Sequence, residues 1–441
     1  MDCLRITGGV PLAGTVTAGG SKNAALPIMA ASILVDGPIA LAGVPDLVDV
    51  NTLALLLGYL GVEVKRQTND DLRIECVDNR PTRAEYDLVR RMRASFCVLG
   101  PLVARRGRGV VSLPGGCNIG NRPVDLHLAA IEKLGADIHI EHGYVVAQAR
   151  RLKGAALHLS GPFGPSVTGT ANALSAATLA RGRTVIIGAA REPEIVNLGE
   201  FLNSLGARIA GLGTDTIEIV GVEQLAPTSA RAYQVIPDRI ETGTLLLSAA
   251  ITGGSATVRG ARPEHLTAVL EALCGCGVDV TSSAGHITVR AATRPRPTNL
   301  DARPYPGIPT DLQAQFMALL ALANGTSIVG DAVFPDRFMH VAELNRLGAR
   351  IEHSASTARV HGVPALSGAT VMASDLRASA ALVLAGLAAG RQTIVRRIYH
   401  LDRGYQRLET KLAQLGAEVE RYDESQRPAA ALHEPALPPP G

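Results

Sequence analysis

The chain of 441 residues is most usefully read first by what it does not contain. It has no long apolar run: the longest, Ala378 to Gly390, is 13 residues flanked by arginines. That is too short to cross a bilayer and reads as a buried helix. No apolar signal core follows the opening MDCLRITGG, so no secretory leader is expected. There is no surplus of one charge either. Lys and Arg number 43 against 40 Asp and Glu, scattered along the chain, which does not suggest a nucleic-acid surface. Cysteine is sparse, 6 in all, and suits reduced thiols in a cytosol. HExxH, paired CxxC and DxD patterns are missing, so no metal site and no metal cofactor is expected. Cys274 and Cys276, as CGC near a helix end, read as packing residues.

What is present is repetition. Six helices end on Leu-Gly or close to it, with glycines at 61, 135, 206, 277, 348 and 416. Their spacings are 74, 71, 71, 71 and 68 residues, a period that sets the architecture. The third unit shows the plan. GTANALSAATLA, Gly169 to Ala180, suits a buried helix of small apolar residues. TVIIG follows as a strand. An amphipathic helix then runs from about Ile195 to Leu205 and ends at Gly206. Two short strands close the unit. The other opening helices are Ser21–Leu34, Ala94–Arg106, Gly243–Thr252, Leu312–Asn324 and Leu376–Ala389. The fold class is α/β, with helices inside and strands outside.

The sixth unit runs into a Pro/Ala tail before its last strand, and Asp2 to Thr7 reads as a strand with no unit of its own. The N-terminus is therefore expected to supply the missing strand. Six units of about 70 residues exceed one comfortable core. Two domains of three units follow: 22–230, and 1–21 plus 231–425, with 426–441 a disordered tail. Two chain crossings between two lobes form a hinge, and ligands favour such clefts.

Several loops carry chemistry. SLPGGCNIGNRPVDLH, Ser112 to His127, puts Cys117 among glycines beside Arg122. Such a thiol can be an acid or a nucleophile, or a packed loop residue, and the residues alone leave both open. GGSKNAALP places Lys22 and Asn23 at a helix N-terminus, which favours anions; the order of residues is not that of a P-loop. Arginines recur in loops at 91, 93, 191, 239, 337, 377, 397 and 403. If the loops converge, their guanidinium forks fit a ligand with several negative groups. Asp311, Asp375, Glu192 and Glu194 lie near the same openings, each aspartate also a reasonable helix cap. A carboxylate among arginines stays ionised and can take a hydroxyl proton. His127 and His400 are isolated and read as hydrogen-bonding residues.

Taken together, GGSKNAALPIMAASIL, LPGGCNIGNRPVDLH, AAREPEIV, PDRIETGT, PYPGIPTDLQAQFMALL, DRFMHVAEL, SDLRASAALVLAG and RIYHLDRGY resemble the enolpyruvyl transferases of UDP-N-acetylglucosamine, over about residues 1–422. The resemblance implies a two-domain inside-out α/β barrel of six βαβαββ-like repeats, three per domain. It implies transfer of the enolpyruvyl group of phosphoenolpyruvate to the sugar 3-hydroxyl, with loss of phosphate, as the first committed step of peptidoglycan synthesis. A C–O bond breaks and no phosphoryl group moves, so neither a Mg²⁺ clamp nor a cofactor is required. By motif, Cys117 would be the general acid and the site of a covalent adduct, open to alkylation by an epoxide such as fosfomycin. Lys22, Asn23, Arg122 and Arg403 would hold phosphoenolpyruvate. Asp311 would bind the attacking hydroxyl and take its proton. Arg93, Arg122, Pro123, Val124, Asp125, Leu126, Asp311 and Val333 would hold the UDP-sugar, with Glu194, Arg337, Asp375 and Arg377 in support. Gly164 stands where some relatives carry lysine, and Asn118 and Asn121 where alanines are common, which touches the nucleotide contacts. The alternatives are a paralogue acting on another hydroxyl acceptor, and a non-catalytic protein that binds the nucleotide sugar.

Overall fold

A computed structural model of the chain describes residues 2–68, 70–114, 124–292 and 294–424. Its elements repeat six times, and one unit gives the rule. The short strand Arg83–Ala84 leads through the turn Arg93–Val98 and helix Leu99–Arg106 to strand Arg108–Ser112. Helix Asp125–Lys133 and the hairpin Asp137–Glu141, Tyr144–Gln148 complete it. The first two strands pair in parallel, Arg83 opposite Val110, and the last strand is antiparallel to both its neighbours. Six four-stranded sheets share this order. The expected opening helix 94–106 thus divides, its first turns being the 3-10 segment Arg93–Val98. Likewise Ser32–Leu34 is a 3-10 continuation of helix Lys22–Ala31.

The opening helices lie inside. Arg239–Ile251, Thr310–Leu320 and Leu376–Ala388 pack on one another, and every residue of the first is buried. A helix can be buried all round only if its polar side chains find partners. Thr242 and Thr244 donate to carbonyls four residues back, at 2.8 Å each, and Ser248 to the Leu245 carbonyl. The sheets lie outside, with alternation such as that of Arg183–Ile187, whose even positions face the helices. This is the inside-out α/β arrangement, with two separate cores. One runs from Ala24 to Ile236; the other joins Leu4–Val16 to Ile240–Ala417. The first core thus continues past residue 230. No helix of the described residues is long and apolar enough to cross a membrane.

Asp2–Thr7 lies between Gln392–Arg396 and Glu418–Asp423, antiparallel to both, and so supplies the last strand of the sixth sheet. The crossings exchange a further pair. Ala13–Thr17, just before helix Lys22–Ala31, pairs with Ser255–Arg259 of the second lobe. Tyr233–Gln234, just before helix Arg239–Ile251, pairs with Leu41–Ala42 of the first. Each crossing therefore leaves its edge strand in one lobe and starts its helix in the other. The two crossings also bond to each other. The Ser21 amide donates to the Ile236 carbonyl and the Asp238 amide to that of Gly19, both at 2.8 Å. Gly20 sits between them, where a Cβ would come 1.6 Å from the Gly43 carbonyl oxygen.

Candidate active site

Two charged clusters form where the inner helices begin. In the first, Ser21 caps helix Lys22–Ala31, accepting the Ala24 amide, and Lys22 is the first helical residue. Its Nζ lies 3.1 Å from Oδ2 of Asp49, in the first turn of helix Val48–Tyr59. The same carboxylate accepts Arg403 Nε on Oδ1 at 2.9 Å, with the second guanidinium arm at 3.5 Å from Oδ2. Arg403 ends the 3-10 segment Ile398–Arg403 of the other lobe. The carboxylate is hidden, with 5 % of its side chain exposed, whereas 34 % of Arg403 is open. Burial pulls the Lys22 pKa down; Asp49 and Asp311 oppose this, and Arg377 and Arg403 add to it.

In the second cluster Asp311, in the first turn of helix Thr310–Leu320, takes Arg337 Nη1 on Oδ1 and Arg377 Nη2 on Oδ2, each at 2.8 Å. Here the arginines are hidden, 8 % and 3 % exposed, and the carboxylate keeps 24 %. Burial alone would raise the Asp311 pKa; the two guanidinium groups outweigh it and hold the carboxyl well below the usual range. Arg377 also lies over the Tyr405 ring, 5.3 Å from its centre. Its Nε and Nη1 are buried without a hydrogen-bond partner among the described residues.

The other expected residues take varied places. Asp375 caps helix Leu376–Ala388 through the Arg377 and Ala378 amides, at 2.8 and 3.2 Å. Glu194 pairs with Arg239 at 2.9 Å across the lobes, both buried. The Val333 amide donates to Asp331 at 2.9 Å, and its side chain is half-buried. Asn23 is half-buried beside Lys22, and Arg93 half-buried at the head of its 3-10 segment. Val124 is buried, Asp125 exposed and Leu126 half-buried at the start of helix Asp125–Lys133. His127 bonds Thr168 at 2.8 Å. Gly164, at φ +94°, lies against Pro304 of the opposite lobe; a Cβ there would come 2.7 Å from the Pro304 ring, too close for any side chain. Cys117, Asn118, Asn121, Arg122 and Pro123 lie outside the described residues.

Sequence reasoning missed two carboxylates. Asp49 reads as an ordinary first-turn acid in VDVNTLA. Asp331, buried at a strand end, accepts the Thr310 hydroxyl at 2.5 Å and the amides of Val333 and Phe334, so it braces the turn next to Asp311. The only available signal was an acid within a strand, TSIVGD, where a solvated side chain would be costly.

Known proteins resemble this chain along nearly its whole length. The family pattern described as EPSP synthase (3-phosphoshikimate 1-carboxyvinyltransferase) matches residues 6–412. The UDP-N-acetylglucosamine 1-carboxyvinyltransferase of Trichlorobacter lovleyi is 51 % identical over 425 residues, covering 96 % of this chain and 100 % of that one. The enzyme of the same name from Anaeromyxobacter sp. (strain K) is 53 % identical, covering 96 % and 99 %. Among solved structures, the enolpyruvyl transferase NikO from Streptomyces tendae superposes with a TM-score of 0.85 at 26 % identity, over 96 % of this chain and 99 % of that one. An EPSP synthase from Acinetobacter baumannii shares the fold, at a TM-score of 0.74 and 18 % identity, over 96 % and 100 %. The chain belongs to the 1-carboxyvinyltransferase, or enolpyruvyl transferase, family.

Proposed function

We propose that this protein transfers the enolpyruvyl group of phosphoenolpyruvate to the 3-hydroxyl of UDP-N-acetylglucosamine and releases phosphate, at the start of peptidoglycan synthesis. The observation that carries this reading is half identity, end to end, with transferases named for that acceptor. The unequal exposure of the two carboxylates supports it. The Asp49 cluster hides its carboxylate and Lys22 and leaves Arg403 one-third exposed, as a seat for an anion. The Asp311 cluster hides its cations and turns a carboxylate outward, as a seat for a hydroxyl.

Lys22 and Arg403, with Arg122 and Asn23, hold the phosphate and carboxylate of phosphoenolpyruvate. Cys117 gives a proton to its methylene carbon and is also the residue that forms a covalent adduct with it. The neighbouring carbon gains cationic character and the sugar oxygen attacks it. Asp311, kept ionised by Arg337 and Arg377, receives the hydroxyl proton. The same pairing makes Asp311 a weak base, so the transfer occurs as the forming C–O bond acidifies the hydroxyl. Loss of a proton from the former methylene carbon and cleavage of the C–O bond to phosphate then restore the vinyl group. Arg93, Arg122 to Leu126 and Val333 hold the UDP-sugar; Glu194 and Asp375 brace the cleft. The domains 22–230 and 1–21 plus 231–425 close over both substrates. The reaction takes place in the cytoplasm, a reducing compartment that suits six cysteines and no disulfide among the described residues.

The test is phosphate release from phosphoenolpyruvate that depends on UDP-N-acetylglucosamine. Release with a shikimate-type alcohol instead would move the chain to the alternative acceptor, and mass spectrometry of the incubated protein should find an adduct on Cys117.

A further inference from the structure

Asp49 is assigned nothing by the reaction as derived above, yet it holds the two described cations on which donor binding rests. Its Oδ2 takes Lys22 at 3.1 Å and its Oδ1 takes Arg403 at 2.9 Å. The two cations come from different lobes and are 381 residues apart in sequence. Three residues earlier the Asp46 amide donates to Gln406 Oε1 at 3.2 Å, so the segment after Arg403 is tied to the same helix start at a second point. The carboxylate lies behind its cations, shielded from solvent, and so has no free face for the substrate.

We propose that Asp49 is a positioning residue for phosphoenolpyruvate: its buried carboxylate gathers Lys22 and Arg403 into one two-cation seat, so that closing the lobes and forming the seat are a single event. Without it, two like charges would face each other with nothing between them, and the lobes would repel where they must meet. The proposal rests on the enolpyruvyl transfer proposed above.

The charge state of Lys22 follows the same geometry. Burial favours its neutral form, and Asp49 is the strongest of the opposing influences. The helix Leu376–Ala388 brings Arg377 and Ile398–Arg403 brings Arg403, both of which also favour the neutral amine; Thr310–Leu320 brings Asp311, which favours the ammonium. Of the elements packed directly on the Lys22 helix, Pro193–Ser204 brings Glu194, already paired to Arg239, and Arg93–Val98 brings Arg93. Removing the Asp49 charge therefore lowers the pH at which Lys22 loses its proton.

The experiment measures phosphate release by the wild-type chain, Asp49→Asn and Asp49→Glu, with separate KM values for donor and acceptor across the neutral to alkaline range. In Asp49→Asn the donor KM should rise at least about tenfold, as for one partner removed from a buried charge pair. The acceptor KM should stay where it was, and the alkaline limb of kcat/KM for the donor should move to lower pH. Asp49→Glu should return the limb toward its wild-type position while the donor KM stays raised, because the carboxylate is displaced by one methylene. An unchanged donor KM with an unmoved limb in Asp49→Asn, or an equal rise in both KM values, overturns the proposal. If Asp49→Asn does not fold, Asp49→Glu decides by its donor KM, and an unchanged value overturns it. If the wild type itself releases no phosphate, the functional reading fails by that result alone. Calorimetry of inorganic phosphate then decides the role of Asp49: weaker binding in Asp49→Asn supports it, and equal or tighter binding overturns it.

Discussion

The two charged clusters have the same plan, one carboxylate between two cations, and different construction. The Asp311 cluster is assembled within one lobe, from helix starts at 310 and 376 and the loop at 337, and its cations are its hidden part. The Asp49 cluster is assembled between lobes; its carboxylate and Lys22 are hidden and Arg403 is its open part. A pair within a lobe persists through any hinge motion. A pair across lobes depends on how the lobes meet. Under the proposed function, one set of residue types serves as a base where the carboxylate stays open and as an anion seat where the carboxylate is concealed.

The largest effect expected from breaking this contrast is at the carboxylate that faces the cleft. Asp311→Asn should lower kcat by about 10²–10⁴, the range for loss of a positioned base, while leaving the donor KM nearly unchanged. Saturating phosphate-release assays measure it, and a kcat within tenfold of wild type would remove Asp311 from that role. Next comes stability. Arg377→Met removes one of two hidden cations and should cost about 3–5 kcal/mol, the range for breaking a buried pair. Arg403→Met removes a cation one-third exposed and should cost about 0–1 kcal/mol. Urea unfolding of both variants gives the order, and the reverse order would mean that the cluster between the lobes carries the structural weight.

The smallest effect is in pH. Because Asp311 is depressed in the folded protein, its stabilising contribution is complete above the ordinary carboxylate value of about 3.9 and is lost as pH falls through its own lower value. The acid side of the kcat profile should therefore show no Asp311 limb above about pH 4. Arg337→Gln, which removes one of the two depressing charges, should move that limb upward. A limb that stays in place would show that Arg377 alone sets it.

Much of the fold was legible because it is written in local pattern. Small-residue helices such as 169–180 carry no charge to offer water, so they were expected to lie inside, and the orphan strand 2–7 matched a unit short of one strand. Of the sites, Lys22, Asp311, Arg337, Arg377 and Arg403 stood out as charges at helix starts and loops, and the structure draws all five into two clusters. Asp49 and Asp331 did not stand out. An acid in the first turn of a helix is favourable to its own helix, so nothing in VDVN separates a capping charge from one enclosed by two cations.

By itself, then, the sequence determined the period, the buried character of the inner helices, and which charged residues recur at helix starts and loops. Those are properties of neighbours in the chain, set by propensity and hydrophobic spacing. Tertiary structure decided the exchange of Ala13–Thr17 and Tyr233–Gln234 between the lobes, the bonding of the two crossings, and the choice of Asp49 as the partner of Arg403. An ion pair spanning 354 residues leaves no local mark, because its energy exists only once two lobes have folded and met.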